Sequence, residues 1–166
     1  MSNSLKVVVL MGSPSDWDVM EKAFQVLKDF EIPSEMRILS AHRTPHEIQE
    51  YCRALRKKGV GVVIAGAGMA AHLAGVCASL TDLPVIGVPL EGSALNGLDS
   101  LLSTVQMPKG MPVATMGLGA HGAINAGLFA VQILALNDEN LRKRFQSFRE
   151  KQTAQVLQNK ALQHRF

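Results

Sequence analysis

With 166 residues, 47% of them hydrophobic and only 5% aromatic, the chain has material for one domain whose core is built from Val, Leu, Ile, Ala and Met. The formal net charge of +3 is mild, and the one basic cluster, Arg142-Lys143-Arg144, reads as a solvated helix face, which argues against a nucleic-acid partner. Cys52 and Cys77 sit in no CxxC or metal spacing, which excludes a disulfide scaffold and fits a reducing cytoplasm. Met1 to Lys6 lacks the features of a signal peptide, and no apolar run reaches the roughly 18 residues of a membrane helix, so no membrane partner is expected.

Val7-Val8-Val9-Leu10-Met11, closed by Gly12, is a continuous apolar run rich in β-branched residues, the mark of a parallel strand buried on both faces. In the turn that follows, Ser13 is placed as N-cap, Pro14 as first helical residue and Asp16 three after the cap, a capping box. That turn also presents free backbone N–H groups and a helix dipole to an anion. Asp16 would repel a phosphate set directly against it and suits a hydroxyl-rich group alongside, such as a ribose. Neither GxGxxG nor GxxxxGK[ST] is present, which disfavours a dinucleotide or a nucleoside triphosphate. Trp17, Met20, Phe24, Leu27 and Phe30 then recur at helical spacing.

A weaker strand is expected over Glu35 to Leu39, followed by Ser40-Ala41-His42-Arg43-Thr44-Pro45. Thr44 as N-cap, Pro45 next and Glu47 third after the cap predict a second capping box, which leaves His42 and Arg43 ahead of the helix at the carboxyl edge of the sheet. Arg43 offers a planar fork suited to phosphate, and His42 a proton carrier near neutral pH. His42 and His46 are four apart, but the helix starts between them and no Cys or carboxylate partner is near, so no metal site is expected. Ile48, Cys52 and Leu55 mark the next helix.

Val60 to Ala65 repeats the strand pattern and leads into Gly66-Ala67-Gly68-Met69-Ala70-Ala71-His72. Such small residues let backbone approach a ligand, or pack a helix tightly on a sheet; tight packing is favoured for Ala70 and Ala71. His72 is placed one turn into an apolar helix, as a core histidine or a site residue. Val85 to Val88 is a further strand before the loop Pro89-Leu90-Glu91-Gly92-Ser93. The stretch from Gly97 to Gly110, including Gln106-Met107-Pro108-Lys109, lacks periodicity and is a candidate site wall. Val113 to Met116 is the last strand. Gly117 to Asn125 is a strand-to-helix turn with His121 as a site candidate, and Ala120 to Leu136 a buried helix. Asn137-Asp138-Glu139 begins a final helix over 137–166, whose sparse stripe of Leu141, Phe145, Phe148, Val156 and Leu157 suits a neighbouring subunit better than this domain's core.

Strands alternating with helices at this spacing predict α/β architecture: one domain over 1–166, a three-layer αβα sandwich around a central parallel sheet, Rossmann-like or flavodoxin-like, with a long C-terminal helix. In such sheets ligands bind beyond the carboxyl ends of the strands, which directs attention to the loops after Met11, Leu39, Ala65 and Val88.

Taken in order, Met11-Gly12-Ser13-Pro14-Ser15-Asp16-Trp17, Ser40-Ala41-His42-Arg43-Thr44-Pro45, Ala65-Gly66-Ala67-Gly68, Ala70-Ala71-His72-Leu73, Gly87-Val88-Pro89, Asp99-Ser100-Leu101 and Val105-Gln106-Met107-Pro108 resemble the N5-carboxyaminoimidazole ribonucleotide mutase family, from about Lys6 into the last helix. The resemblance implies a homo-octamer whose C-terminal helices embrace neighbours. It also implies interconversion of N5-carboxyaminoimidazole ribonucleotide and 4-carboxy-5-aminoimidazole ribonucleotide in purine biosynthesis, with no ATP, biotin, metal or other cofactor. The family's route is decarboxylation in a closed pocket, then recarboxylation at carbon. His42 matches its proton-shuttling histidine. Ser13, Asp16 and Arg43 match its ligand-binding residues, with Ser15 and Ser40 at further phosphate-side positions. Gly66, Ala67 and Gly68, with Ala70, His72 and Leu73, match the walls around the imidazole and CO2.

Departures flank these motifs: Met69 stands where members commonly have Gly, Ala74 where they commonly have Pro, Glu91-Gly92 in place of Gln-Ser, and His121 in place of Lys. Two alternatives stay open. The family's carboxylase branch, which uses free CO2, typically has Lys at the position of Arg43 and lacks Trp at that of Trp17. A non-catalytic nucleotide-binding module of flavodoxin type would leave His42-Arg43 idle.

Overall fold

Side chains of a strand alternate between the two faces of its sheet. In β1 (Val7–Met11), Val7, Val9 and Met11 enter one apolar cluster while Val8 and Leu10 enter another, and all five are fully buried. A strand buried on both sides requires a layer of helices on each face. The structure, a computed structural model describing residues 6–158, has that arrangement. Around β1 lie β2 (Ser34–Ile38), β3 (Val62–Gly68), β4 (Val85–Leu90) and β5 (Ala114–Thr115), in the order β2-β1-β3-β4-β5 and all parallel. One face is covered by α1 (Trp17–Asp29) and α5 (Gly119–Ala135), the other by α2 (Pro45–Ala54) and α3 (Leu73–Leu80). A fourth helix, α4 (Leu98–Val105), packs against β4 and β5, and α6 (Glu139–Gln158) against α5.

The expected αβα sandwich is therefore present, with shifted element bounds. β3 starts later than expected because Gly59 takes φ 83° and the Val60 N–H bonds the Leu55 carbonyl, closing the preceding helix. It then runs on through Gly66-Ala67-Gly68, since Ala67 and Gly68 pair with Pro89 and Leu90. β5 is only two residues long, an edge strand paired with Ile86 and Gly87. The stripe proposed for α1 holds at Met20, Leu27 and Phe30, but Trp17 is 40% exposed and Ala23 is buried instead.

The reading of the last helix needs correction. Its first half belongs to this domain: Leu141 is buried, and the Phe145 and Phe148 rings lie 6.1 and 5.7 Å from the Phe30 ring. Asp138 Oδ1 accepts the Leu141 N–H at 3.0 Å, satisfying one of the first-turn amides, and Arg144 reaches Glu31 at 2.6 Å. The stripe is sparse over thirty positions but holds Leu141, Phe145 and Phe148 within the first ten of α6. Val156 and Leu157 are 74% and 58% exposed, and residues 159–166 lie outside the described ones.

Helices α1 and α5 cross closely because α5 carries Gly127 at the contact. A Cβ there would stand 2.9 Å from the Ala23 carbonyl oxygen and 2.8 Å from the Val26 Cβ. Backbone cannot yield as a side-chain tip can. Gly127→Ala should therefore lower unfolding stability by about 1–3 kcal/mol, the usual effect of overpacking, despite alanine's better helix propensity. A denaturant midpoint equal to or above wild type would show that the two helices can separate freely.

Candidate active site

The chain leaves β1 for β2 on one side and returns, through α2, to β3 on the other side of β1. Loops after β1 and β3 therefore diverge, and such a switch point leaves a crevice at the carboxyl edge. A cavity of about 510 Å³ opens there, lined by the loop after β1 except Pro14, by Ser40 to Arg43, by Ala67 to Leu73 except Ala71, and by Glu91 and Gly92.

The loop after β1 forms one wall. Ser13 takes extended backbone angles as N-cap of a single 3-10 turn, Pro14–Asp16, that leads into α1. Its capping box is complete: Ser13 Oγ accepts the Ser15 N–H at 3.3 Å, and Asp16 Oδ2 accepts the Ser13 N–H at 3.0 Å. Ser15 Oγ donates to Ser13 Oγ at 2.9 Å. Burial pushes the Asp16 carboxyl above the usual aspartate value of 3.8, against the opposing pull of bonds from Ser13, Gly12 and Ser15 and the charge of Arg43. A half-buried carboxylate at a cavity wall is a strong acceptor for ligand hydroxyls.

The loop after β2 supplies the second wall, and here the expected capping box is absent. Thr44 is the residue before α2, but its side chain caps nothing. Thr44 Oγ1 instead accepts the Ser40 N–H at 2.9 Å and donates to the Ser40 carbonyl at 3.0 Å, folding residues 40–44 into a closed turn. Ser40 is buried, and its Oγ accepts from the Arg43 N–H at 3.2 Å and from Arg43 Nε at 3.3 Å. Arg43 Nη2 donates to the Gly12 carbonyl at 2.5 Å, which joins the first two loops. Ser40 thus fixes the posture of Arg43, and both line the cavity.

His42, ahead of the helix as expected, does not approach His46. Its Nε2 lies 2.9 Å from Nδ1 of His72, with the rings edge to face and their centroids 5.0 Å apart. One of these nitrogens must donate and the other accept, so a single proton sits between them. His72 is not one turn inside α3 but immediately before it, exposed in the cavity; Leu73 is the first helical residue.

Ser13, Ser15, Asp16, Ser40, His42, Arg43, Ala67, Gly68, Ala70, His72 and Leu73 thus come together around one cavity. Gly66 does not line it: it lies within β3, paired with Met11 and Val88, and a Cβ there would run into Met20. Ala71 is buried as tight packing requires, whereas Ala70, expected to do the same, is exposed in the cavity. The stretch 106–110 and His121 are not among the lining residues. Gly12, Ala41, Met69, Glu91 and Gly92 line it without having been singled out as ligand-facing. The carboxyl-edge rule pointed to their loops, but nothing in residue type marked them.

The arrangement supplies a guanidinium for an anion, a carboxylate and hydroxyls for a sugar, and a paired imidazole to move a proton between atoms of a small ligand. Among the described residues no group of three or more His, Cys, Asp or Glu is placed to hold a metal ion.

Residues 6–155 match the family model described as AIR carboxylase. Among curated proteins, the chain is 51% identical to the N5-carboxyaminoimidazole ribonucleotide mutase of Vibrio vulnificus, over 93% of this chain and 96% of that one. It is 51% identical to the Bacillus subtilis mutase, over 92% and 94% of the two chains, and 54% identical to the Pyrococcus abyssi mutase, over 87% and 82%. Among solved structures it is similar to a variant of Treponema denticola PurE2, with a TM-score of 0.87 and 25% identity over 98% and 99% of the chains. Treponema denticola PurE gives 0.84 and 27% over 96% and 98%. With the family model covering most of its length and relatives half identical to it from end to end, the chain belongs to the AIR carboxylase family.

Proposed function

We propose that this chain is an isomerase of purine biosynthesis that interconverts N5-carboxyaminoimidazole ribonucleotide and 4-carboxy-5-aminoimidazole ribonucleotide. The observation that carries the chemistry is the 2.9 Å contact of His42 with His72, set between a polar wall and a wall of small residues. Arg43 and the first-turn amides after β1 hold the phosphate side, and Asp16 accepts from ribose hydroxyls. As the N-carboxylate departs as CO2, protonated His42 gives its proton to the exocyclic nitrogen. The ring carbon then attacks CO2, and neutral His42 removes the hydrogen from the tetrahedral carbon, restoring the aromatic ring and the starting protonation. His72, whose Nδ1 meets His42 Nε2 at 2.9 Å, fixes the orientation of the imidazole. Atoms and protons balance within the substrate and one side chain, so the route calls for no ATP, biotin or metal.

Self-association and a cytoplasmic setting are part of the proposal. Leu98, Leu102 and Val105 recur at helical spacing on the exposed side of α4, with Leu95 just ahead, each about half exposed or more. An apolar row of this length on a free surface marks an interface. With Val156 and Leu157 on α6 it supports assembly into a homo-octamer. Cys52 and Cys77 are free, buried thiols, as a reducing compartment favours. No helix among the described residues is long and apolar enough to cross a membrane.

His42→Asn should retain nucleotide binding and lose about 10²–10⁴-fold in interconversion, the worth of a general acid–base; near wild-type turnover would remove His42 from the chemistry. Offering the enzyme either N5-carboxyaminoimidazole ribonucleotide, or aminoimidazole ribonucleotide with bicarbonate, separates the family's two branches: efficient use of only the second mixture would make it a carboxylase. Asp16→Asn keeps an acceptor for the Ser13 N–H but removes a desolvated charge. Since the folded-state value of Asp16 is raised, its charged form is disfavoured above that value and the penalty vanishes below 3.8. The variant should therefore melt higher than wild type at pH 7 and equal to it below pH 3.8, while nucleotide affinity falls about 10–100-fold. A lower melting temperature at neutral pH would contradict this. Leu98→Asp with Leu102→Asp should split the assembly in sedimentation; an intact octamer would place the interface elsewhere.

A further inference from the structure

Two nucleophilic side chains have no part in the chemistry above. Cys52 and Cys77 are both buried, and their sulfurs meet at 3.8 Å across the contact of α2 with α3. Both belong to the apolar cluster that also holds Ile48, Leu55, Leu73 and Ala74. The contact lies inside one domain, so it is the same whatever neighbours cover the surface. The helices it joins are those that carry the imidazole pair: α2 begins shortly after His42, at Pro45, and α3 directly after His72. These two segments therefore meet twice, ahead of their first turns through the 2.9 Å contact of His42 with His72, and in the core through the two sulfurs. Leu73 links the two levels, since it lines the cavity and packs in the core cluster.

We propose that Cys52 and Cys77 are a modification site, oxidised by hydrogen peroxide to a disulfide that displaces the imidazole pair and turns the site off. The Cys52 thiolate attacks one peroxide oxygen and the O–O bond breaks. Hydroxide leaves, takes up the proton that Cys52 released, and Cys52 becomes a sulfenic acid. The Cys77 sulfur then attacks that of Cys52, the S–O bond breaks, and the hydroxyl departs with the Cys77 proton as water. Two thiols lose two hydrogens and two electrons, and one peroxide becomes two waters. The pair is set for this order: the hydrogen bond from Cys77 holds the Cys52 thiol below its ordinary value, against the opposing effect of burial, and pushes Cys77 well above. Peroxide is little larger than water and enters by local opening of the helix contact, whereas burial turns bulky disulfides away. Bond formation brings the sulfurs from 3.8 Å to about 2 Å. In a close-packed core side-chain rotation absorbs little of that approach, so α2 moves against α3, and His42 with it against His72. The activity readout of this switch rests on the mutase reading; its chemistry does not.

The test treats the full chain with hydrogen peroxide, alkylates the remaining thiols and follows both peptides and turnover. Mass spectrometry should find the Cys52 and Cys77 peptides crosslinked. Interconversion of the two carboxylated ribonucleotides should fall about 10–100-fold, the effect of an ångström-scale misplacement of a reacting group, and return on adding dithiothreitol. Cys52→Ala and Cys77→Ala should each turn over as wild type does and keep that rate under the same peroxide. Cys52→Ser and Cys77→Ser, which preserve the side-chain volume, should behave alike, so the comparison survives a cavity-weakened alanine variant. Absence of the crosslink in wild type would overturn the proposal, as would a crosslinked protein with undiminished turnover. An equal loss in wild type and all four variants would also overturn it, by assigning the damage to oxidation elsewhere. An untreated protein that binds the nucleotide but interconverts nothing refutes the mutase reading instead, and the crosslinked peptide still decides whether the disulfide forms.

Discussion

The fold and its site both depend on β1 being buried on its two faces. Five consecutive apolar residues without a polar interruption cannot lie at an edge or under a single layer, so β2 and β3 must flank the strand and helices must cover both sides. Once β2 lies on one side and β3 on the other, right-handed crossovers send α1 to one face and α2 to the opposite one. The carboxyl edge of β1 is then the place where loops part. The cavity is a consequence of topology before any functional residue is considered.

What converts an open crevice into a site is a short relay of hydrogen bonds between the loops that part. Thr44 closes on both backbone groups of Ser40, Ser40 receives Arg43, and Arg43 reaches the Gly12 carbonyl across the crevice. Each of these residues would be an ordinary turn or surface residue alone. Joined, they hold the guanidinium within reach of Asp16 and set His42 on the far side of the turn, against His72. A polar wall and an imidazole wall thus share one scaffold, and a change at buried Ser40 would disturb both.

The sequence spoke clearly where burial alone decided and poorly where identical residue types had alternative partners. β1 is read to the residue because its apolar run ends at a glycine. β5 is not, because an edge strand of two residues carries too little periodicity to define its ends. Thr44-Pro45-His46-Glu47 has the composition of a capping box, and it starts the helix where expected. Yet the hydroxyl finds Ser40 nearer than the helix amides, a competition that composition cannot rank. The sequence places His72 too deep in its helix because no Ser, Thr, Asp or Asn precedes Leu73 to mark the start. The meeting of His42 with His72, thirty residues apart, is tertiary and had no local signal.

Two local rules are broken at this site. Asp16 keeps a carboxylate where burial disfavours its charge, and Met69 keeps a left-handed backbone with a side chain. Each costs stability that a neutral amide or a glycine would return, and the Ser13 N–H that Asp16 Oδ2 accepts at 3.0 Å offsets only part of the first. Elsewhere Gly59 and Gly97 take left-handed turns and Gly127 the tight crossing, but Glu31 and Asn96 also hold positive φ, at 54° and 50°, with side chains. Left-handed backbone outside glycine therefore belongs to turns of this fold in general, whereas a carboxylate held against burial stands at the cavity wall.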